Sequence, residues 1–320
     1  MPPESPRPTV APPPVRVVPL SDFSEASELF SSWHGKFEQI SRGRFAGTLQ
    51  ALRGGRVRII GITSNQRVRL RGRDVSGLVS VYPVTDGNGG SLWHGRQLAP
   101  GQLVVHGAEA ETDHYSARRT DNLGLSMPPA DLEEAARALL GTDRATLPRT
   151  WSALSPPPGA FAGLHRKLST LLGRGVADPS LLGTPEGGQL EQECVRALVA
   201  ALFTVDPMPE LSLPARSEQL HRAEDLMRTQ LGGGLGAIDL CRELGVSDRT
   251  LRLAFRERYG LGPIAYYKCL RLNAVRTFMR ANPLAPIADV ARVYGFHHLG
   301  NFAADYRRLF GERPSETVRG

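Results

Sequence analysis

Near its C-terminus the chain carries one pattern twice, and an internal repeat limits the available folds more than composition does. The first copy runs IDLCRELGVSDRTLRLAFRERYGLGP from Ile238 to Pro263, and the second runs IADVARVYGFHHLGNFAADYRRLFGERP from Ile287 to Pro314. Aligned, Cys241 pairs with Ala291 and Gly245 with Gly295. After one extra residue in the second turn, Phe255 pairs with Tyr306, Gly260 with Gly311 and Pro263 with Pro314. A small residue on a short first helix lets a second helix cross closely, and a glycine in a tight turn can take positive φ. Each copy therefore reads as a helix-turn-helix.

In the first copy Ser247 is placed to cap the second helix, with Asp248 in its first turn. Leu251, Ala254, Phe255 and Tyr259 recur at helical spacing and form a buried stripe, while Arg249, Arg252 and Arg256 share another face. An arginine row on a helix that starts at such a turn suits the major groove, where a guanidinium donates two hydrogen bonds to guanine O6 and N7. In the second copy Phe302, Tyr306, Leu309 and Phe310 form the stripe. The positions matching Arg249 and Arg252 fall on Leu299 or Gly300 and on Ala303, while Arg307 matches Arg256, so this helix has fewer long donors. The first unit is expected to supply most of the hydrogen-bonded base readout. The second is expected to add shape, methyl and phosphate contacts through His297, His298, Asn301, Arg307 and Arg308, with the two histidines readable equally as plain turn residues.

Between the copies, Pro263 to Ala281 reads as one helix with Ile264, Tyr267, Leu270, Ala274, Val275 and Phe278 on its apolar face, ended by Asn282-Pro283. At 1.5 Å per residue it is about 28 Å long, close to the roughly 34 Å between successive major-groove faces on one side of B-DNA. One chain can thus offer two reading helices to adjacent turns of a duplex.

The double helix-turn-helix, the RLNAVR run in the joining helix, the pair Gly295-Phe296 and the closing FGERP resemble the DNA-binding domain of the AraC/XylS family of bacterial transcription regulators, over about Arg216 to Arg319. Residues Ala303, Ala304 and Asp305 depart from the polar or basic side chains common there. The resemblance implies binding to double-stranded promoter DNA, activation through RNA polymerase, and an N-terminal effector or oligomerisation domain. Repression, or architectural DNA binding without effector control, is the alternative.

From Arg216 onward 17 Arg and Lys stand against 11 Asp and Glu, so a net +6 of the chain's +7 lies in the DNA reader. Phosphate attraction needs such a basic domain beside a near-neutral one. Proline at 2, 3, 6, 8, 12, 13 and 14 marks a disordered tail over residues 1–15, with no signal-peptide core. No apolar run is long enough for a membrane span. Cys194, Cys241 and Cys269 have no metal-site spacing and fit a reducing cytoplasm.

After a helical segment from Phe23 to Trp33, alternation takes over, as in Val57, Ile59 and then Val68, Leu70, with Gly or Pro at the turns. Six to eight such strands predict a small β-barrel or sandwich. LAPGQLVVHG resembles a turn and strand of the family's cupin-like sensors. His34, His94, His106 and His114 lack a His-x-His, so no metal and no cofactor are expected; Trp93, His94, His106 and Tyr115 line a candidate effector pocket or simply fill the core. From Pro129 three helices follow, carrying Leu132, Ala135, Ala136, Leu139 and Leu140, then Leu164, Leu168, Leu171 and Leu172, then Leu190, Val195, Leu198 and Leu202. They can pack on the barrel or on a second subunit, which makes a homodimer a candidate assembly, and this layout resembles the ethanolamine-utilisation branch of the family.

The expected fold is α+β: a disordered tail over 1–15, a sensor or oligomerisation domain over 16–205 (cupin-like barrel, then helices), a proline-containing linker over 206–216, and an all-α DNA-binding domain over 217–320 with two helix-turn-helix units on a long joining helix. No GxSxG, HExxH, P-loop or dinucleotide fingerprint occurs, so no enzyme is expected.

Overall fold

A computed structural model describes residues 14–23, 25, 33–141, 146–203, 211 and 215–319. The tail up to residue 13, most of the helix expected over Phe23–Trp33 and most of the linker lie outside the described residues. Twelve strands are described: β1 (Val15–Leu20), β2 (Trp33–Gln39), β3 (Gly47–Arg53), β4 (Arg58–Ser64), β5 (Val68–Asp74), β6 (Val79–Pro83), β7 (Leu92–Trp93), β8 (Arg96–Gln97), β9 (Leu103–His106), β10 (Glu111–Tyr115), β11 (Thr120–Met127) and β12 (Trp151–Leu154).

They form two antiparallel sheets, one of seven strands ordered β1-β3-β4-β11-β6-β9-β12 and one of five ordered β2-β5-β10-β7-β8. The expected closed barrel is corrected to this open pair, since no strand pair joins the two sheets among the described residues. Each sheet instead has an outer face covered by helices. A face buried on packed helices has no need of closure to leave the water.

Helices α1 (Pro129–Leu140), α2 (Pro158–Ala177) and α3 (Pro185–Leu202) cover the seven-stranded sheet. Leu164, Leu168, Leu171 and Leu172 of α2 and Leu198 and Leu202 of α3 join Leu52, Ile59 and Leu125 in one core. The periodicity of α1 holds for Leu132 and Ala136, but Leu139 and Leu140 stay 47% and 45% exposed.

The C-terminal helices are α4 (Ala215–Thr229), α5 (Ala237–Leu244), α6 (Asp248–Tyr259), α7 (Pro263–Ala281), α8 (Ile287–Val293), α9 (Leu299–Phe310) and the short α10 (Pro314–Thr317). The joining helix α7 lies between two cores. Tyr266, Tyr267 and Leu270 belong to the first, and Leu272, Val275 and Met279 to the second. Burial on both sides explains why the apolar face is wider than a single stripe, and why Ile264 and Phe278, expected inside, remain 40% exposed at its margin. Gly295 has φ +75°, and a Cβ there would meet the carbonyl of Gly232 at 2.4 Å, so this turn excludes a side chain twice over.

The five-stranded sheet turns its outer face to these helices, and the contact is polar and buried. Arg69 of β5 has no exposed surface; its guanidinium meets Asp113 of β10 at 2.5 Å and Glu224 of α4 at 3.0 Å. Tyr259 and Tyr266 each donate a hydroxyl to Glu224 Oε1 at 2.6 Å. Asp113 also receives Arg258 of α6 at 3.0 Å and His221 of α4 at 2.6 Å. Beside this cluster Arg228 clasps Glu38 of β2 with two hydrogen bonds, and Asn273 of α7 exchanges a pair with the Gln39 backbone, each at 2.9 Å.

Burial alone would raise the Glu224 carboxyl, but Arg69 outweighs it and holds the group down to about 2. Removing one partner of such a pair strands a buried charge, at a cost of about 3–5 kcal/mol. Glu224→Ala is therefore expected to lower unfolding stability by about that much in a denaturant titration. An unchanged midpoint would mean that apolar contacts alone hold the halves together.

Candidate nucleic-acid interface

Helix α6 starts at a sequence-encoded cap: the Ser247 hydroxyl accepts from the Thr250 amide at 3.1 Å. Gly260, with φ +69°, closes the other end. Leu251, Ala254, Phe255 and Tyr259 are buried as their spacing requires, which forces Arg249, Arg252 and Arg256 outward. Arg252 Nε reaches back one turn to Asp248 at 2.8 Å, with both side chains at least half exposed. An exposed pair of this kind contributes ~0–1 kcal/mol, so it aims Arg252 without fixing it. Leu253, 49% exposed, flanks the row and adds an apolar surface absent from the sequence expectation.

Arg258, on the same helix, behaves in the opposite way. It is buried against Asp113, and the Tyr115 hydroxyl donates to the Tyr259 carbonyl at 2.6 Å. The C-terminal end of α6 is thus held by the five-stranded sheet, while the face that carries Arg249, Arg252 and Arg256 is exposed.

In the second unit Phe302, Tyr306, Leu309 and Phe310 are buried, and Asn301, Ala303, Ala304 and Arg307 are exposed on α9. His297 and His298 are exposed before it, and His298 occupies the cap position without a side-chain capping bond. Ala303, Ala304 and Arg307 border a groove with Ile287 and Leu299. Arg308 is not brought together with Arg307: it pairs with Asp305 at 3.0 Å and turns toward the N-terminal half. The end of α9 is held from that half too, since Gln39 Nε2 and the Gly43 amide donate to the Leu309 carbonyl at 2.7 and 3.0 Å.

A model described as a helix-turn-helix domain matches residues 240–320. The regulator GlxA of Rhizobium meliloti, an HTH-type transcriptional regulator, is 32% identical over 238 residues, covering 66% of this chain and 71% of that one. This chain belongs to the AraC family of DNA-binding transcription regulators.

Other relatives of the regulator include a probable thc operon regulatory protein of Rhodococcus erythropolis, 25% identical over 57% of this chain and 67% of that protein. XylDLEGF operon transcriptional activator 2 of Pseudomonas putida is 41% identical over 23% of this chain and 48% of its own length. The regulator thus spans about half of that activator and about two thirds of the Rhodococcus protein. Among solved structures, the AraC-like transcriptional activator CuxR aligns over 88% of this chain and 92% of its own at 14% identity and a TM-score of 0.37.

Between the regulator's two sheets lies a cavity of about 110 Å³ lined by Phe37, Ile62, Tyr82, Trp93, His106 and His114, among others. Of the four pocket candidates, Trp93 and His106 line it. His94, with φ +47°, stacks on Trp151 at 4.2 Å and meets His106 Nε2 to Nε2 at 2.9 Å. Tyr115 points through the other face of the sheet, to Tyr259. Among the described residues no group of three His, Cys, Asp or Glu is placed to hold a metal ion.

Contacts that were not anticipated at Arg69, Asp113, Glu224 and Arg258 have one readable trace, the run QRVRLRGRD. Its arginines at 67, 69, 71 and 73 alternate with the apolar residues that face the cavity. Period-2 alternation gave the two faces of β5; it gave no sign that the charged face is also covered.

Burial lowers the imidazoles, His94 to about 4 and His114 to about 3, from an ordinary 6.5, and lowers His106 as well. They stay neutral in the fold but take protons when it opens, so their contribution is complete above pH 6.5 and drains away as pH falls toward 4. Glu224 and Asp113, held below their ordinary values of 4.5 and 3.8, add a loss in the same direction at lower pH. The melting temperature followed by circular dichroism is expected to be level above pH 7 and to fall steadily from about 6.5 downward. A level profile between pH 7 and 5 would contradict buried neutral histidines.

Proposed function

We propose that this regulator reads promoter DNA with α6 and α9 in successive major grooves and activates transcription from there by engaging RNA polymerase. The observation that carries the reading is the row of exposed Arg249, Arg252 and Arg256 on a capped helix. Arg249 and Arg252 contact guanine edges, with Asp248 orienting Arg252 and Leu253 meeting thymine methyl groups. Arg256 and Arg307 serve phosphates, together with the amide end at Ser247, the turn residues His297 and His298 and Asn301 in the first turn of α9, while Arg308, expected with them, is turned away toward the N-terminal half. Activation rather than repression is supported by the activator names of the Pseudomonas relatives. No helix among the described residues is long and apolar enough to cross a membrane, and the protein acts where its DNA is, in the cytoplasm.

The N-terminal half, over 16–205, serves as a cupin-like sensor joined by a linker over 206–216 to the reader over 217–320. The cavity between the sheets admits a small effector, because its lining is mainly apolar, with neutral histidines and one carboxylate, Asp74. A homodimer through α1–α3 belongs to the same reading, supported by exposed Leu139 and Leu140.

Arg252→Ala is expected to cost about 1–3 kcal/mol on the cognate promoter and to relax one base position, measured by fluorescence anisotropy against a panel of single-base variants. Equal losses on cognate and random duplexes would remove Arg252 from base readout. Arg307→Ala is expected to weaken all duplexes alike and to lower the slope of log K against log salt by about one. A promoter-driven reporter that rises on deleting the regulator would replace activation with repression.

A further inference from the structure

The two reading helices can be laid on one another residue by residue. Each is 12 residues long, and each is closed by a left-handed glycine, Gly260 after α6 and Gly311 after α9. The overlay puts Gly300 at the place of Arg249, Ala303 at that of Arg252, Ala304 at that of Leu253 and Arg307 at that of Arg256. Gly300, Ala303, Ala304 and Arg307 are all exposed. Two of the three long donors of the first row are thus replaced in the second by a methyl group and a bare Cα. Packing does not call for glycine at 300, since a Cβ there would meet nothing within 4 Å. Glycine also weakens a helix, so neither packing nor helix propensity accounts for the bare position.

Beside this row runs a groove of about 510 Å³ between α9 and the first residues of α8 and α10. Ile287, Leu299, Phe302, Ala303 and Ala304 line it, and none of these side chains can donate or accept a hydrogen bond. Its charged members are Arg307 and Arg313, both exposed and neither guanidinium paired with a carboxylate among the described residues.

We infer that the second unit recognises thymine by its 5-methyl group. Gly300 and Ala303 let α9 lie close to the floor of the major groove, and the methyl groups of a thymine-bearing half-site enter the apolar groove along Ala303 and Ala304. Of the groups that base pairs present in the major groove, the thymine methyl alone is apolar; the others are donors and acceptors that this surface cannot answer. Arg307 and Arg313 at the rim meet the flanking phosphates, which favours a polyanion over an apolar protein segment as the occupant. The operator is then asymmetric, guanine-bearing under α6 and thymine-bearing about one helical turn away under α9. The order of the two half-sites fixes the direction in which the protein lies on the promoter. This rests on the reading of α6 and α9 in successive major grooves.

The test starts from duplexes with a randomised stretch long enough for two successive major grooves, from which the full chain selects its own site. The selected duplex is remade with deoxyuridine for thymine in one half-site at a time, which removes the methyl group and leaves the hydrogen-bonding edge intact. Affinity is read by fluorescence anisotropy for wild type, Ala303→Ser and Arg252→Ala. Ala303 is exposed and serine nearly keeps its size, so folding is not at stake. Guanines are expected in one half-site and thymines in the other, with a loss of about fourfold for each methyl removed under α9, equivalent to the ~0.8 kcal/mol of one buried methylene. That loss shrinks in Ala303→Ser and persists in Arg252→Ala. Unchanged affinity with deoxyuridine under α9, a second half-site selected for guanine or for no base, or an equal methyl effect in wild type and Ala303→Ser would each overturn the inference and leave the groove to a protein segment. Guanines that depend on Arg252 would, in that event, keep the DNA reading by α6 standing. Selection of no site at all would end both.

Discussion

A guanidinium with no exposed surface is costly to place, and Arg69 is placed in the middle of a strand. Its charge is matched only when acids from two distant parts of the chain arrive: Asp113 from the neighbouring strand and Glu224 from the first helix of the DNA reader. The two tyrosine hydroxyls on Glu224 and the further cations on Asp113 complete a network that has no half-formed version of comparable energy. The relation of the N-terminal half to the DNA-binding half is thereby set by a discrete arrangement of charges. A sliding apolar contact would permit many placements of nearly equal energy; this one favours a single geometry.

That geometry ties the N-terminal half to both helix-turn-helix units. The sheet holds the end of α6 through Arg258 and the Tyr259 carbonyl, the middle of α7 through Asn273, and the end of α9 through the Leu309 carbonyl. Gly311 permits the last of these, since a Cβ there would stand 2.5 Å from the Arg44 backbone. Helices α6 and α9 are therefore gripped at their C-terminal ends and left exposed where they carry Arg249, Arg252 and Asn301. The alternation of β5 and β10 means that one wall serves two purposes. Val68, Leu70 and His114 face the cavity between the sheets, and Arg69, Asp113 and Tyr115 face the reader.

Much of the reader was legible in the sequence because its information is local. A cap, a helix stripe and a turn glycine depend on contacts within a few residues, and Ser247, Phe255, Gly245 and Gly295 each stand where those short-range rules put them. The strands were legible as alternation, but their closure was not. Alternation states that a strand has two unlike faces and is silent on whether its sheet curls onto itself or is covered by helices. For the same reason Leu139 and Leu140, on the apolar stripe by period, are half exposed, and Arg69, on the polar side of an alternating strand, has no exposed surface.

Arg256 and Arg258 make the division plain. They are the same residue type in the last turn of the same helix, and local rules treat them nearly alike; one faces solvent and the other is buried on Asp113, a residue 145 positions away in the chain. The sequence by itself determined that this chain carries two helix-turn-helix units with arginines on the first reading helix, because repeat, period and cap are short-range properties of the polypeptide. Only the tertiary structure decided which charges are interior and how the N-terminal half holds α6 and α9. Electrostatic matching in a buried interface is made between residues far apart in sequence, and it exists only once the chain has brought them together.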